Sequence, residues 1–257
     1  MDIAHPAFDY DRGKVGYAAR RQADPRIARH VYEALGDSRT VLNVGAGTGS
    51  YEPPDRYVAA VEPSAEMRSE RAGLGRAPAI IGRADALPFD DHAFDAALAS
   101  LTVHHWPDLR AGLNEVRRVT KGPVVVMSYD PDQLDQFWNA RYFHEVVEVE
   151  RSRYPRLETL KDALGGDVEI RQVPIPLDCV DGFQEAFYGR PEAFLDAEVR
   201  RAQSAWGFID DATQERLIAA LAADLKSGRW DELYGHHRSL PEFHGALRLI
   251  IGRPSRI

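Results

Sequence analysis

The stretch VLNVGAGTGSYEPPDRYVAAVEP, residues 41–63, holds the pattern that decides the fold. An apolar segment runs into a glycine-rich loop that starts at Gly45, and a second apolar segment ends at Glu62. This order is typical of two parallel strands with a ligand-binding loop after the first. Only seven residues separate Gly49 from Tyr57, and two of them are consecutive prolines. The sequence therefore predicts that the usual helix between the two strands is missing.

Short apolar strands and helices alternate as far as residue 130. Two helices carry clear start and stop signals, DPRIARHVYEALG with Asp24 as N-cap and DLRAGLNEVRRVTKG, and a short helix is expected at Ser64–Arg71. The predicted strands are TVLNVG, RYVAAVE, PAIIGRA, FDAALASL, PVVVMSYD, DVEIRQVPIPLD and FHGALRLIIGRP. We therefore expect an α/β fold, with a Rossmann-like, doubly wound, mostly parallel sheet of seven strands and a helical cap insertion.

The composition restricts the kind of partner. The chain has 257 residues, 44% of them hydrophobic, and a net charge of −8, which disfavours nonspecific binding of nucleic acid. A single cysteine excludes an internal disulfide and a cysteine-rich zinc site, and no His or carboxylate pair has convincing metal-ligand spacing. The sequence shows no signal peptide and no membrane-spanning apolar run, so a cytoplasmic location is expected. The 32 basic residues include only four lysines, as in GC-rich bacterial genes.

Four polar or glycine positions are expected at the carboxyl edge of the sheet, where such folds bind ligands. Gly45, Gly47 and Gly49 allow backbone N–H groups to approach a ligand. Glu62 could accept the hydroxyls of a ribose, and Asp85 could accept an exocyclic amine. Ser100 ends the next strand.

The missing helix argues against a dinucleotide. Pyrophosphate is usually held by the N-terminus of the helix behind the glycines, and the loop spells GxGxG rather than GxGxxG. A nucleoside without phosphate, such as S-adenosylmethionine, agrees better with this sequence.

Residues 40–130 resemble the class I S-adenosylmethionine-dependent methyltransferases, and within them a small-molecule, type 11-like group. Four motifs in order carry the resemblance: NVGAGTG, AAVEPSAEM, RADALPF and FDAALASLTVHHW. The sequence departs from the family in the missing helix and in VTKGPVVV before the fifth strand. The resemblance implies a methionine site at Gly45, Ala46, Gly47 and Gly49, ribose binding by Glu62, an adenine border of Pro63, Asp85 and Ala86, and Ser100 and Leu101 beneath the sulfonium.

His104 and His105 follow the fourth strand and are the candidates for a catalytic base. TVHHWPD resembles the CHDWSD-type stretch of plant-type O-methyltransferases, in which His104 falls on the catalytic histidine. Histidine's pKa near 6.5 suits proton transfer at neutral pH. Packing of this histidine against the cofactor is the alternative.

Further residues extend the predicted site. Tyr17 and Arg21 lie one helical turn apart if the segment is helical, and Arg21 could pair with the methionine carboxylate; a solvated arginine is the alternative. Candidates for substrate contact come from the aromatic region after residue 130, although aromatic residues there more often form core than line a pocket. They are Trp138, Tyr142, His144, Tyr188 and Arg190.

The combined prediction is a single domain, residues 1–257. It comprises an S-adenosylmethionine-binding core at 37–130, a helical region with a cap over the substrate site at 131–243, and a last strand at 244–254. The predicted activity is methyl transfer to an O or N atom of a small molecule, a specialised metabolite being one compatible class. The product would be S-adenosylhomocysteine. A nicotinamide-dependent oxidoreductase and a noncatalytic S-adenosylmethionine-binding protein are the alternatives, and the oligomeric state is left open.

Overall fold

Strands and helices alternate through residues 20–254, the part of the chain that this computed structural model describes. In that range the strands are β1 (Thr40–Val44), β2 (Tyr57–Val61), β3 (Ala96–Ser100), β4 (Val124–Tyr129), β5 (Asp167–Gln172), β6 (Ile175–Pro176), β7 (Glu242–Phe243) and β8 (Leu247–Arg253). The helices are α1 (Pro25–Leu35), α2 (Ala65–Gly73), α3 (Leu109–Val119), α4 (Asn139–Tyr142), α5 (His144–Arg153), α6 (Leu157–Leu164), α7 (Ala197–Arg201), α8 (Asp211–Ser227) and α9 (Arg229–Tyr234). Short 3-10 segments, the first at Val103–His105, join several of these elements.

The main sheet has six strands in the order β2-β1-β3-β4-β8-β5. Strands β1 to β4 are parallel to one another, whereas β8 runs antiparallel to both β4 and β5. The chain passes from β1 to β2 on one side and then to β3 on the other. The carboxyl end of β1 is therefore the point at which the strand order switches, where such sheets bind ligands.

The prediction of a seventh strand at PAIIGRA was wrong. Only Ile80 pairs with β2, through Ile80 N to Ala60 O at 2.8 Å and Glu62 N to Ile80 O at 3.0 Å. Pro78 has no N–H to continue the ladder on one side. On the other side the chain turns at once, since Ala86 N donates to Arg83 O. The Rossmann-like, mostly parallel architecture is otherwise confirmed.

Apolar residues cover both faces of the sheet. On one face, β3 and β4 pack against α1 and the aromatic residues that follow residue 130, in a cluster that includes Ile27, Leu98 and Met127. On the opposite face, α3 and α6 contribute Leu113 and Leu160 to a second cluster. This two-sided burial fixes the strand ends, and hence the loops after them, on a rigid support.

No helix lies between β1 and β2, as the two prolines predicted. The space behind the glycine loop is filled by a buried ion pair between Glu52 and Arg71, 2.7 Å from Oε1 to NH1 and 3.0 Å from Oε2 to NH2. Asn43 Nδ2 donates to the same Glu52 Oε1 at 2.9 Å, and Arg71 Nε donates to Ala77 O at 2.6 Å. These side chains on β1, the loop and α2 take the structural place of the missing helix.

The region after residue 130 is largely helical, as predicted, and contributes a dense aromatic cluster. Trp138 lies at its centre, with ring centroids 5.5 Å from Trp230 and 5.7 Å from Phe194, both edge to face. The short strands β6 and β7 pair with each other in a separate two-stranded sheet. No helix among residues 20–254 is both long and apolar enough to cross a membrane.

Candidate cofactor and acceptor site

A cavity of about 360 Å³ opens at the carboxyl ends of β1, β2 and β3. We call it the first cavity. Of the residues predicted for the cofactor or for catalysis, ten line it: Arg21, Gly45, Ala46, Gly47, Glu62, Pro63, Asp85, Ser100, Leu101 and His105. The four sequence motifs that are separated along the chain are therefore brought together in one place.

The glycine loop forms the floor of the first cavity. Gly45 and Gly47 both have positive φ, +66° and +51°, a conformation that favours glycine. Gly45 N and Ala46 N both donate to Val61 O, at 2.9 and 3.0 Å, and so tie the loop to β2. The two glycines differ in the room available for a side chain. A Cβ at Gly45 would lie 2.1 Å from Thr102 Oγ1, whereas one at Gly47 would meet nothing within 4 Å.

Replacement of Gly45 by alanine is expected to cost much more stability than the same change at Gly47. In both variants the alanine must adopt a strained φ, which lowers the free energy of unfolding by about 1 kcal/mol. In Gly45→Ala the new Cβ also overpacks against Thr102, so the total loss should be about 3 kcal/mol. Urea denaturation of both proteins measures the two costs. Equal costs at the two positions would contradict the steric account.

Glu62 is positioned to hold the loop and a ligand together. Its carboxylate is buried, and it accepts from Gly47 N at 2.8 Å and from Ser64 N at 2.8 Å, one bond on each oxygen. A carboxylate has about four acceptor sites, and Glu62 lines the first cavity, where the hydroxyls of a ribose are the groups it is predicted to bind.

Asp85 faces the first cavity in a two-pronged ion pair with Arg83. The Oδ1–Nε and Oδ2–NH2 distances are 3.0 and 2.9 Å, and these hydrogen bonds lower the pKa of the Asp85 carboxyl. Asp85 is therefore an anion at neutral pH and can accept a hydrogen bond from an exocyclic amine.

The two adjacent histidines face different surroundings. His105 lines the first cavity, and its Nδ1 lies 3.2 Å from Arg153 NH2. A guanidinium can only donate, so His105 Nδ1 accepts and the ring proton is on Nε2. Arg153 therefore occupies Nδ1 of His105, and the role of His105 as a base stays a prediction.

His104 lines a second cavity instead, of about 30 Å³, which shares Arg21 and Leu101 with the first. Leu101 separates the two cavities in a left-handed conformation with φ +49°. The other residues of the second cavity are Tyr129, Glu150, Tyr154, Phe183, Gln184, Gln203 and Ser204. Loss of water around its ring, with the nearby charges of His105, Arg153 and Arg21, lowers the pKa of His104 well below its usual value. His104 is therefore a neutral imidazole at pH 7.

A third cavity of about 10 Å³ continues from the second, sharing Tyr129, Glu150 and Gln184 with it. Glu185 lines this third cavity, and its two oxygens accept from Ala246 N at 2.8 and 3.0 Å. Burial raises the pKa of Glu185 from 4.5 to about 7. The three cavities thus form a series from the switch point into the protein interior.

The raised pKa of Glu185 predicts a stability that falls as pH rises. Between about pH 4.5 and 7 the unfolded chain releases this proton while the folded chain keeps it, so the folded state loses about 3 kcal/mol relative to the unfolded state, at 1.36 kcal/mol per pKa unit. Glu185→Gln removes this loss, so the variant should gain about 3 kcal/mol over wild type on going from about pH 4.5 to 8. Urea denaturation at both pH values tests this, with the exposed Glu198→Gln as control. A difference that does not change with pH would contradict it.

The structure does not bring the predicted substrate residues to any of these three cavities. Their polar groups are used within the cap: Trp138 Nε1 donates to Tyr188 O at 2.8 Å, Tyr142 OH to Asp224 Oδ2 at 2.9 Å and Tyr188 OH to Leu240 O at 2.7 Å. Arg190 donates to two backbone carbonyls, and His144 is exposed at the start of α5. These residues belong to the cap's own packing, which corrects the prediction.

Three residues that were predicted to bind the cofactor are not among the described residues that line the first cavity. Gly49 does not line the first cavity, and a Cβ there would lie 2.7 Å from Arg71 NH1 and 2.9 Å from Glu52 Oε2. Its φ of +92° and the close side chains of Arg71, Arg76 and Glu52 both favour glycine at this position. Ala86 is exposed and outside the lining. Tyr17 lies outside the described residues.

Several lining residues were not predicted. Trp106 and Met67 supply apolar surface, and Arg83 pairs with Asp85. Trp106 fits because a Cβ at Gly112 would lie 2.6 Å from its ring. A sequence signal existed for two of the three, since Trp106 follows the two histidines directly and Arg83 precedes Asp85 by two positions.

Comparison with known proteins agrees with this geometry. The sequence profile described as "Methyltransferase domain" matches residues 42–126, the segment that contains the loop, Glu62, Asp85 and β4. Residues 42–126 are therefore a methyltransferase domain, in agreement with the resemblance of the sequence to the class I S-adenosylmethionine-dependent methyltransferases. A crystal structure from Anabaena variabilis, described as a candidate methyltransferase from an antibiotic biosynthesis pathway, is similar with a TM-score of 0.84 at 28% identity, over 91% of this chain and 98% of that one.

Two curated relatives show how far the likeness extends. An uncharacterised methyltransferase of Mycobacterium bovis is 37% identical over 137 residues, 51% of this chain and 49% of the relative, so the chain spans about half the length of that protein. The mitochondrial arginine-hydroxylase NDUFAF5 of Danio rerio is 27% identical over 96% of this chain and 76% of the relative. The proteins that are similar to this chain are thus named for more than one activity.

The family implies S-adenosylmethionine as cofactor, and the residues present fit it. The first cavity has a buried carboxylate at Glu62 and an anionic Asp85, groups that suit the ribose and the adenine. It has no helix N-terminus behind the glycines, as expected for a ligand without phosphate. Among residues 20–254 no group of three His, Cys, Asp or Glu residues could hold a metal ion.

Proposed function

We propose that the protein transfers the methyl group of S-adenosylmethionine to an O or N atom of a small molecule, and that the acceptor binds in the second cavity. The observation that carries this proposal is the shared wall at Leu101. If the sulfonium lies at Ser100 and Leu101, as the family resemblance implies, its methyl group would lie at the boundary between the first and second cavities.

Catalysis then rests mainly on positioning. S-adenosylmethionine supplies an already electrophilic methyl carbon, and holding a nucleophile against it contributes roughly 7–11 kcal/mol. The charges of Arg21 and Arg153, which oppose protonation of His104, favour a role in which neutral His104 orients the acceptor by a hydrogen bond over a role as strong base.

A methyl-labelled donor tests this proposal. The protein is incubated with S-adenosylmethionine labelled in the methyl carbon and with small phenols and amines, and label in the acceptor is measured together with S-adenosylhomocysteine. We expect both products, and their loss in Glu62→Ala but not in the exposed Asp90→Ala. Binding of S-adenosylhomocysteine without transfer to any acceptor would favour a noncatalytic binding protein instead.

The same assay separates methyl transfer from hydroxylation, the activity named for the Danio rerio relative. Hydroxylation of an acceptor leaves the label on the donor and adds one oxygen to the product mass. An oxidised acceptor with unconsumed donor would overturn the proposal. Saturable use of NADH would overturn it in favour of an oxidoreductase.

A further inference from the structure

A carboxylate of the cap is bonded to two residues that line the first cavity, and from this we infer that Asp181 and Tyr51 are positioning residues for the amino-acid tail of S-adenosylmethionine. The inference rests on the proposed function and extends the cofactor site to a residue 130 positions after Tyr51. Tyr51 itself lines the first cavity, immediately after the glycine loop.

The Asp181 carboxylate joins two parts of the wall of the first cavity. Its side chain is 1% exposed; Oδ1 accepts from Arg21 Nε at 2.7 Å, and Oδ2 accepts from Tyr51 OH at 2.7 Å. Both Arg21 and Tyr51 line the cavity. Charge-assisted hydrogen bonds of this length are among the strong ones in proteins, and a buried group that loses its partner carries a desolvation cost. Each of the three side chains therefore fixes the place of the other two.

Backbone contacts hold the same three segments together. Arg21 and Asp181 pair in an isolated antiparallel β-bridge, and Ser50 Oγ donates to Arg21 O at 3.3 Å. A Cβ at Gly182 would lie 2.4 Å from Arg20 O, so a glycine next to Asp181 permits the close approach of the two chains. The cap segment is thus fixed against the cavity wall by main chain as well as side chains.

Tyr51 adopts a backbone conformation that needs such support. Its φ is +63°, in the left-handed region that residues other than glycine rarely adopt and that persists where the surroundings enforce it. Burial and the neighbouring Asp181 carboxylate raise the pKa of Tyr51 well above its ordinary value, so the hydroxyl keeps its proton and donates. The bond to Asp181 therefore stabilises a strained residue in the cavity wall.

The position of this wall indicates which part of the donor it meets. In the proposed function, Glu62 and Asp85 bind the ribose and the adenine, and the sulfonium lies at the boundary between the first and second cavities. Arg21 lines both cavities and so lies at that boundary. The amino-acid tail extends from the sulfonium and is the part of the donor that remains to contact Arg21, Ser50 and Tyr51. Loosening this wall should weaken the hold on the tail and leave the adenosine unaffected.

A matched pair of ligands tests this inference in the full-length protein. S-adenosylhomocysteine and methylthioadenosine share the adenosine and the thioether sulfur, but only the first carries the amino-acid tail. Both are titrated calorimetrically into wild type and into Tyr51→Phe, which removes only the hydroxyl that bonds Asp181. We expect Tyr51→Phe to bind S-adenosylhomocysteine about tenfold more weakly than wild type does, the effect of one hydrogen bond to a charged group. Its affinity for methylthioadenosine should be that of wild type.

Two further variants locate the effect. Asp181→Ala removes both hydrogen bonds, so it should weaken S-adenosylhomocysteine binding more than Tyr51→Phe does, again without a change for methylthioadenosine. Asp178→Asn removes a carboxylate of the same segment whose side chain is 81% exposed, and it should leave the binding of both ligands unchanged. If Asp181→Ala does not fold, Tyr51→Phe still decides.

Kinetics provide a second measurement. With S-adenosylmethionine and an acceptor that is methylated, Tyr51→Phe should raise KM for the donor about tenfold with little change in kcat, because the tail is held equally in the ground state and the transition state. Equal weakening of the two ligands, or wild-type affinity for both, would overturn the positioning role while leaving the proposed function intact. Failure of wild type to bind S-adenosylhomocysteine would instead reject the proposed function, and this inference with it.

Discussion

Glu62→Ala should lower the affinity for S-adenosylhomocysteine about 100-fold or more. The variant loses a buried carboxylate that is expected to accept two ribose hydroxyls, and hydrogen bonds to a charged group contribute about 1.5–3 kcal/mol each. It also releases Gly47 N and Ser64 N, which this carboxylate holds at 2.8 Å each. The lost ribose contacts and the loosened loop both weaken binding of the same ligand, so the loss of affinity should exceed that expected for one hydrogen bond.

Calorimetric titration of wild type and variant measures the change. Asp90→Ala, which removes an exposed carboxylate outside the cavity, serves as the control and should bind as wild type does. Glu62→Gln should be intermediate, because the amide keeps one acceptor oxygen. If Glu62→Ala bound S-adenosylhomocysteine with wild-type affinity, the ribose role of Glu62 would be wrong.

Arg71→Ala should destabilise the protein by about 3–5 kcal/mol, the cost of leaving a buried charge without its partner. The Arg71 side chain is 1% exposed and that of Glu52 is 6% exposed. Without Arg71, the Glu52 carboxylate keeps only Asn43 and the more distant Arg76 as partners. The loop behind the glycines loses its support in the same step.

A second arginine, Arg76, contacts the same Glu52 carboxylate and provides a matched control variant. Arg76 lies 3.4 Å from Glu52 Oε2, but its side chain is 39% exposed, so Arg76→Ala should cost no more than about 1 kcal/mol. Urea denaturation of both variants gives the comparison. Similar costs for Arg71→Ala and Arg76→Ala would contradict the view that the buried pair replaces the missing helix.

Local signals predicted the part of the fold that positions the cofactor. Pro53 and Pro54 correctly indicated that no helix follows the glycine loop, because proline removes N–H donors and the segment is short. The same rule, applied to Pro78, would have argued against a full strand at PAIIGRA. The apolar run there outweighed it in the prediction, although Ile81 is 72% exposed.

Contacts between distant residues account for the remaining errors. Tyr142 seemed a pocket residue because its partner Asp224 lies 82 positions away, and no local pattern links the two. Gly49 is constrained by the side chains of Arg71, Arg76 and Glu52, which lie 3 to 27 positions away in the sequence. His104 and His105 separate into two cavities after Leu101, which adopts a left-handed conformation without being a glycine. The sequence gives no signal for that turn.

The most direct test of the central claim is a calorimetric titration of the purified protein with S-adenosylhomocysteine, with NADH as the parallel control. We predict saturable, one-site binding of S-adenosylhomocysteine and none of NADH, because the loop lacks the helix N-terminus that a pyrophosphate requires. Binding of NADH alone would contradict the account and assign the first cavity to a dinucleotide.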